Sequence, residues 1–230
     1  MILGGFQKNS LIDYPGKISS VIFTKGCNFK CPYCHNHELI SFEKNDDSVD
    51  TDSILSFLNS RKGFIDGVVI TGGEPTLQKD IIDFAGEIKK MGFPLKMDTN
   101  GSRPEILEKL VEKKLVDLFA MDIKAPFSNY KELTYEKDIA EKLESSINLL
   151  MNAETDYLFR TTCAKPFITK TNCMEIFEHI KGADNYYLQT FKRDNVYKKD
   201  FFNSFEDYTE DEMRNFKKTA VKFVKICKLI

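Results

Sequence analysis

The chain has 230 residues and a net charge of −2, with lysines and acidic residues interspersed rather than blocked; that distribution gives no support for a nucleic-acid or membrane surface. Its 42% hydrophobic and 30% charged residues are ordinary for a globular protein, and the length suffices for one domain, residues 1–230, with a sizeable core. Residues 1–8 have no basic segment and too short an apolar run for a signal peptide, and no window reaches transmembrane length, so the chain is expected in the cytoplasm, where six cysteines point to metal or catalysis rather than disulfides.

Apolar runs alternate with helix-patterned segments along most of the chain. Residues 18–24, ISSVIFT, predict a first strand that ends at a cysteine-rich loop. A helix starts at Val49-Asp-Thr-Asp-Ser53, carries Ile54, Leu55 and Leu58 on one face and stops at Gly63. Residues 67–71, GVVIT, form the short apolar run of a buried parallel strand. A helix from about Lys79 to Gly92 follows, then a strand over 93–99. Ser102-Arg-Pro104 opens a third helix, with Ser102 before it and proline in its first turn. A strand over 116–123, a helix carrying Ile139, Leu143, Ile147 and Leu150, and a strand over 156–162 come next. A helix over 172–181 and a strand over 185–190 complete six β/α units. Residues 191–208 read as an irregular aromatic loop. Thr209-Glu-Asp-Glu212 is a capping box, and the last helix is expected to run close to the C-terminus, with Cys227 on its apolar face beside Met213, Phe216, Ala220 and Phe223.

Such alternation predicts an α/β fold with parallel strands inside and helices outside. Six units are too few for the closed eight-fold barrel in its usual form. An open, partial (β/α)6 barrel plus a C-terminal helix is the natural alternative.

Half of the cysteines lie in Lys25-Gly-Cys-Asn-Phe-Lys-Cys-Pro-Tyr-Cys-His-Asn-His37, where Cys27, Cys31 and Cys34 are spaced C-x3-C-x2-C. Thiolates are soft ligands that select zinc, copper(I) and iron–sulfur clusters. Three within eight residues are one short of a closed four-ligand site, which leaves a position for substrate. Cys31-Pro-Tyr-Cys34 alone reads as a redox pair and Cys31 to His35 as a haem c attachment pattern, but neither needs Cys27. Zinc completed by His35 or His37, or a cluster held by the three cysteines alone, remain. Cys163, Cys173 and Cys227 are isolated and read as structural.

Polar residues gather at the C-terminal ends of the strands, where barrel-like α/β proteins place their chemistry. After the second strand comes Thr71-Gly-Gly-Glu-Pro75; the third ends in Asp98-Thr-Asn-Gly101 and the fourth in Asp122-Ile-Lys124; Arg160-Thr-Thr162 lies late in the fifth and Gln189 in the sixth. Gly72 and Gly73 form a turn or admit a ligand to the backbone, and Glu74 can accept from an ammonium group. Asp98 and Asp122 read equally well as loop anchors and as functional groups, and Arg160 as a salt-bridge partner or a ligand contact. His179 reads as a surface or packing histidine, and His35 and His37 as loop hydrogen-bonders.

The cysteine spacing, with Tyr33 before the last thiol, resembles the signature of the radical S-adenosylmethionine (SAM) superfamily. The longer run Gly4-Gly-Phe-Gln7, Ser10-Leu-Ile-Asp-Tyr-Pro-Gly16 and Cys31-Pro-Tyr-Cys-His-Asn36 is similar to the activating proteins of anaerobic ribonucleoside-triphosphate reductase, cousins of the pyruvate formate-lyase activating enzyme. The resemblance implies the open barrel and a [4Fe-4S] cluster on Cys27, Cys31 and Cys34 whose fourth iron is chelated by SAM. It puts Tyr33 against the adenine and Gly72, Gly73 and Glu74 at the SAM amino group. Asp98, Thr99 and Asp122 become candidate ligands of a monovalent cation touching the SAM carboxylate, Lys124 a SAM or substrate contact, and Arg160 a SAM contact. Residues 161–166 depart from the glycine-containing sequence of relatives. The implied reaction takes an electron from flavodoxin or ferredoxin, cleaves SAM reductively and leaves a glycyl radical on a partner reductase. A pyruvate formate-lyase-type partner, a small-molecule substrate as in deazaguanine synthases, and a non-enzymatic zinc- or cluster-binding docking scaffold are the other readings.

Overall fold

The computed structural model describes residues 1–43 and 49–230. Among them a single eight-stranded sheet carries the fold, and its strands neighbour one another in the order in which the chain makes them: β1 (Leu3–Ser10), β2 (Ser19–Thr24), β3 (Gly67–Gly72), β4 (Leu95–Thr99), β5 (Leu118–Asp122), β6 (Asp156–Cys163), β7 (Asn185–Thr190) and β8 (Ile226–Leu229). From β2 to β8 every pairing is parallel; β1 alone runs antiparallel to β2. Parallel neighbours require crossovers, and each of the six carries a helix, the first five being α1 (Thr51–Ser60), α2 (Ile81–Lys90), α3 (Pro104–Glu112), α4 (Ile139–Asn152) and α5 (Cys173–His179). The sixth, α6 (Glu210–Ala220), begins at the expected capping box, where Thr209 Oγ1 accepts from the Glu212 amide and the Glu212 side chain accepts from the Thr209 amide.

Strand alternation divides the apolar residues between two cores. Ile22, Val68, Ile70, Leu95, Met97, Phe119, Met121 and Phe159 join the buried faces of the helices in one large cluster. Their alternates Val21 and Val69 pack with Tyr14 on the other, inner side of the sheet, beside Phe23 and Leu118. Helices therefore cover one face only, and the inner face is left for a floor and a site. Tyr14, from the β1–β2 connection, makes that floor; a Cβ on Gly67 would stand 3.0 Å from its ring, so glycine lets the ring seat against the strand. No helix among the described residues is long and apolar enough to cross a membrane.

The six parallel β/α strands fall where expected, and both sheet edges are additions. β1 has no clear period-two pattern because it covers an edge and exposes its middle residues Gln7, Lys8 and Asn9. The last helix stops at Ala220 rather than running to the end, and Cys227 belongs to β8, opposite Tyr186. The spacing Phe223–Cys227 fits a helix, but Ile226-Cys-Lys-Leu229 also alternates exposed and buried, and the free edge of β7 offers backbone partners that a longer helix would leave unpaired. Ser102 is not the cap of α3; Arg103 precedes Pro104 there without a side-chain cap, and Ser102 is used elsewhere.

Candidate active site

Parallel strands end on one side of the sheet, so motifs distant in sequence meet there. A cavity of about 420 Å³ opens at these ends. The cysteine loop supplies Cys27, Cys31, Tyr33 and Cys34 to its wall, β3 and its following turn Gly72, Gly73 and Glu74, and β4, β5 and β6 Asp98, Thr99, Asp122, Lys124 and Arg160. The candidate cluster ligands and cofactor-binding residues expected from the sequence thus line one space.

Neighbouring segments hold the cysteine loop by its backbone. Gly26 N donates to Leu39 O (2.7 Å), Cys27 N to Ile40 O (3.0 Å) and Lys30 N to Leu133 O (2.8 Å); Tyr197 N and Lys198 N donate to Cys34 O and Pro32 O, both at 3.0 Å. Burial pushes the Cys27 and Cys31 thiols up to about 12, and raises Cys34, against the opposing pull of the Lys124 ammonium. His35 lies with Nε2 2.8 Å from Lys192 O, and His37 packs near Tyr197, so both histidines serve the loop; His179 stacks on Phe127 and is a packing residue. Among the described residues no three cysteine, histidine or acidic side chains converge closely enough to hold a single metal ion. Zinc would need that convergence, whereas thiolates of an iron–sulfur cluster bind separate irons. The three-thiol donor set fits a cluster with one iron left open.

Gly72 and Gly73 are glycines for a reason the sequence concealed. A Cβ on Gly72, at φ +115°, would stand 2.4 Å from Thr24 N, and one on Gly73 would stand 2.2 Å from Gly26 O. The turn is pressed against the cysteine loop and bonded to it, Gly73 N to Thr24 O and Glu74 N to Gly26 O, both at 2.8 Å. The Glu74 carboxylate is wholly buried. Its Oε1 accepts from Thr76 N (3.1 Å), Thr76 Oγ1 (2.5 Å) and Thr99 Oγ1 (2.8 Å), and its Oε2 from Asn100 N (2.6 Å). Burial raises its carboxyl and these four donors oppose the rise. Glu74 fastens the β3 turn to the β4 end.

On the inner wall the charges are already paired. Arg160 Nε donates to Asp122 Oδ1 (2.5 Å) and its Nη2 to Oδ2 (3.0 Å), while Lys124 Nζ donates to Asp122 Oδ2 (2.8 Å). Burial alone would raise the Asp122 carboxyl; Arg160 and Lys124 overcome it and hold the group well below the usual carboxylate range. The second oxygen of Asp98 lies 3.7 Å from Arg160 Nη2, and its first accepts from Lys96. Thr99 Oγ1 donates to Glu74 and accepts from Gly101 N (3.1 Å). The three expected cation ligands therefore have partners within the chain, and they do not fit the added cation that the resemblance implies. The Tyr33 hydroxyl donates to Lys124 O, which fixes the ring in the cavity wall. Thr162 Oγ1 donates to Gln189 Oε1 (3.3 Å) on the far side.

A second group of side chains escaped the sequence reading. Asn28 Nδ2 donates to Ser102 Oγ (2.8 Å) and Glu136 Oε1 (2.7 Å); Asn100 Nδ2 donates to Asn28 Oδ1 (2.9 Å) and reaches Cys27 Sγ at 4.0 Å. Arg103 and Lys142 close on Glu136 at 2.9 and 2.7 Å. Asparagine between two cysteines was the available signal, but its partners lie 72 to 108 residues away. Burial would raise the Glu136 carboxyl; the bonds from Lys142, Asn28 and Arg103 bring it down from 4.5 to about 2. A lowered folded-state value gives stability above the unfolded value that disappears as pH falls through the folded one. Denaturant unfolding of the apoprotein should lose stability between pH 4.5 and about 2 in part through this group, and Glu136→Gln should flatten that portion of the profile. An unchanged profile would show that the clasp does not couple to folding.

The family model described as the radical SAM superfamily matches residues 21–163. A protein of Methanocaldococcus jannaschii described as a glycyl-radical enzyme activating enzyme is 36% identical over 97% of this chain and 93% of its own. A pyruvate formate-lyase-activating enzyme of Staphylococcus aureus is 29% identical over 49% of each chain. Among solved structures, Streptococcus suis SuiB bound to S-adenosylmethionine shares the fold with a TM-score of 0.68 at 13% identity, over 91% of this chain and 49% of that one. TYW1 with a lysine-pyruvate adduct does so at 0.64 and 16%, over 89% and 73%. The chain belongs to the radical SAM superfamily and, within it, to the glycyl-radical enzyme activating enzymes. Membership brings a [4Fe-4S] cluster and SAM as the cofactors.

Proposed function

We propose that the chain activates anaerobic ribonucleoside-triphosphate reductase by placing a glycyl radical on it. The run Gly4–Gly16 carries this reading: it resembles activators of that reductase, and here it builds β1 and the Tyr14 floor of the cavity. The alternative partner is a pyruvate formate-lyase-type enzyme, favoured by the similarity to the activating enzyme of S. aureus.

In this reading Cys27, Cys31 and Cys34 would hold the [4Fe-4S] cluster and leave it an open position for SAM. With Glu74 occupied by four donors, acceptors for the ammonium come from the half-buried backbone at Gly72–Gly73. Tyr33 offers the adenine a ring whose tilt is set by its bond to Lys124 O. Lys124 and Arg160, pinned by Asp122, turn fixed positive charge toward the SAM carboxylate without reorganising. When bound, the cofactors supply one-electron reductive cleavage of SAM and a radical able to take hydrogen from a glycine Cα; the chain supplies binding, orientation and exclusion of water. Flavodoxin or ferredoxin would deliver the electron, in the cytoplasm. One domain over residues 1–230 suffices for a substrate that is a loop of another protein.

The test is anaerobic: reconstituted, reduced protein and SAM are mixed with the reductase of the same organism, or with a pyruvate formate-lyase-type enzyme, and the glycyl-radical doublet is read by EPR. A doublet on the reductase is expected. A doublet on the lyase alone would reassign the partner. Deoxyadenosine formation with no radical on either protein would point to a small-molecule substrate.

A further inference from the structure

We propose that the ammonium of Lys96 is the resident cation of the SAM-binding wall, so that SAM binds this protein without a monovalent metal ion. The inference rests on the reading that SAM occupies the cavity described above.

Lys96 is the second residue of β4, two residues before Asp98 and on the same inner face, opposite Val69 and Leu118. Its side chain is only 4% exposed. A lysine in a strand core is unusual, because its charge is costly to bury unless it is paired. Around it the floor is apolar, formed by Tyr14, Val21 and Val69 with Phe23 and Leu118. Its one ion-pair partner among the described residues is Asp98, whose Oδ1 accepts from Nζ. Lys96 thus supports Asp98 from beneath.

The charge balance follows from the pairs. Asp98 and Asp122 carry two negative charges; Lys96, Lys124 and Arg160 carry three positive ones. Two further carboxylates line the cavity: Glu74, which has four neutral donors and no ion pair among the described residues, and Asp13, which accepts from Ser10 Oγ. A metal cation would need several oxygen ligands. Here the carboxylate oxygens are directed at nitrogen cations, and Thr99 Oγ1 is directed at Glu74. An added cation would displace one of these partners and meet the field of the other two. An ammonium on a strand side chain performs the same neutralisation with no ion to recruit, and it leaves Lys124 and Arg160 lining the cavity, where the SAM carboxylate would lie. Lys96 is a positioning residue: it acts on SAM through Asp98 and Arg160.

The experiment measures SAM affinity of cluster-loaded protein in choline, sodium and potassium chloride at equal ionic strength, by equilibrium dialysis and by the SAM-induced change in the EPR spectrum of the reduced cluster. Wild-type affinity is expected to be the same in all three salts. Lys96→Met removes the ammonium while keeping an apolar stem; it should bind SAM about tenfold more weakly in choline and recover in sodium or potassium. Lys96→Arg, which keeps the charge, should remain indifferent to the salt. Wild-type binding that tightens about tenfold on adding sodium or potassium would overturn the proposal, as would a loaded Lys96→Met variant with wild-type affinity in choline. If Lys96→Met fails to load a cluster, the wild-type salt series and Lys96→Arg decide. Absence of SAM binding to loaded wild-type protein in every salt would instead overturn the reading of the cavity on which this one rests.

Discussion

Cys31→Ala is expected to abolish SAM cleavage, with loss of at least about a thousandfold, or ~4 kcal/mol of transition-state stabilisation. Cys31 is the most buried of the three cavity thiols, and its loop is bonded on both sides to neighbouring segments. A loop held in this way does not readily bring another ligand into the gap. With two thiolates left, the cluster loses its anchorage, and with it the open iron that SAM needs. Iron and sulfide content after anaerobic reconstitution, the EPR spectrum with dithionite, and deoxyadenosine yield would all fall together. Cys163→Ala serves as the control, since that thiol is buried outside the cavity lining; it should cost stability alone, of order 1 kcal/mol. A Cys31→Ala protein with a full cluster and undiminished cleavage would remove Cys31 from the ligand set.

Gly73→Ala is expected to have the second-largest effect, although it adds a single methyl group. The new Cβ would meet Gly26 O at 2.2 Å, Gly26 C at 2.7 Å and Leu39 O at 2.9 Å. All three are backbone atoms and cannot rotate away, so the β3 turn and the cysteine loop must separate. Separation breaks the bonds from Gly73 N to Thr24 O and from Glu74 N to Gly26 O. Overpacking of this kind costs about 1–3 kcal/mol, and each broken backbone bond about 1 kcal/mol more. Apoprotein stability in denaturant and iron retention after reconstitution should both drop. Gly86→Ala provides the contrast: this glycine lies within α2, where a Cβ meets nothing within 4 Å. Alanine there should stabilise by about 0.5–1 kcal/mol. Equal behaviour of the two variants would show that the turn and the loop are not mechanically joined.

Once loaded, such a site does little work with moving parts. Arg160 and Lys124 are held by Asp122, Asp98 by Lys96, and Glu74 by four donors. Preorganised charge of this kind does not relax when substrate charge changes, which is why it serves electron and group transfer.

Local signals carried most of this architecture. Six β/α units were legible because apolar runs and helix faces repeat within windows of ten or so residues, and the strand over 185–190 falls where the alternation put it. Three cysteines within eight residues announce a shared ligand whatever the fold. The strand-end motifs could be assigned to one mouth because consecutive parallel strands must all finish on the same side. The edge strands were not legible in this way. β1 and β8 exist because β2 and β7 would otherwise present unpaired backbone, a need that belongs to the sheet and not to residues 3–10 or 226–229.

Tertiary structure alone decided what the charged and polar groups do. Glu74 is a fastener between two turns, and Gly72 and Gly73 give the cysteine loop the room it needs against the β3 turn. Lys96 read as one more lysine until the register of β4 placed it beneath Asp98 and over an apolar floor. Asn28 reaches Glu136 across 108 residues. Backbone pattern is set by neighbours in the chain, so sequence by itself determines the elements and the cysteine ligand loop. A buried charge takes whichever partner the strand register brings within hydrogen-bond reach, and that register is fixed only when the sheet closes around its core.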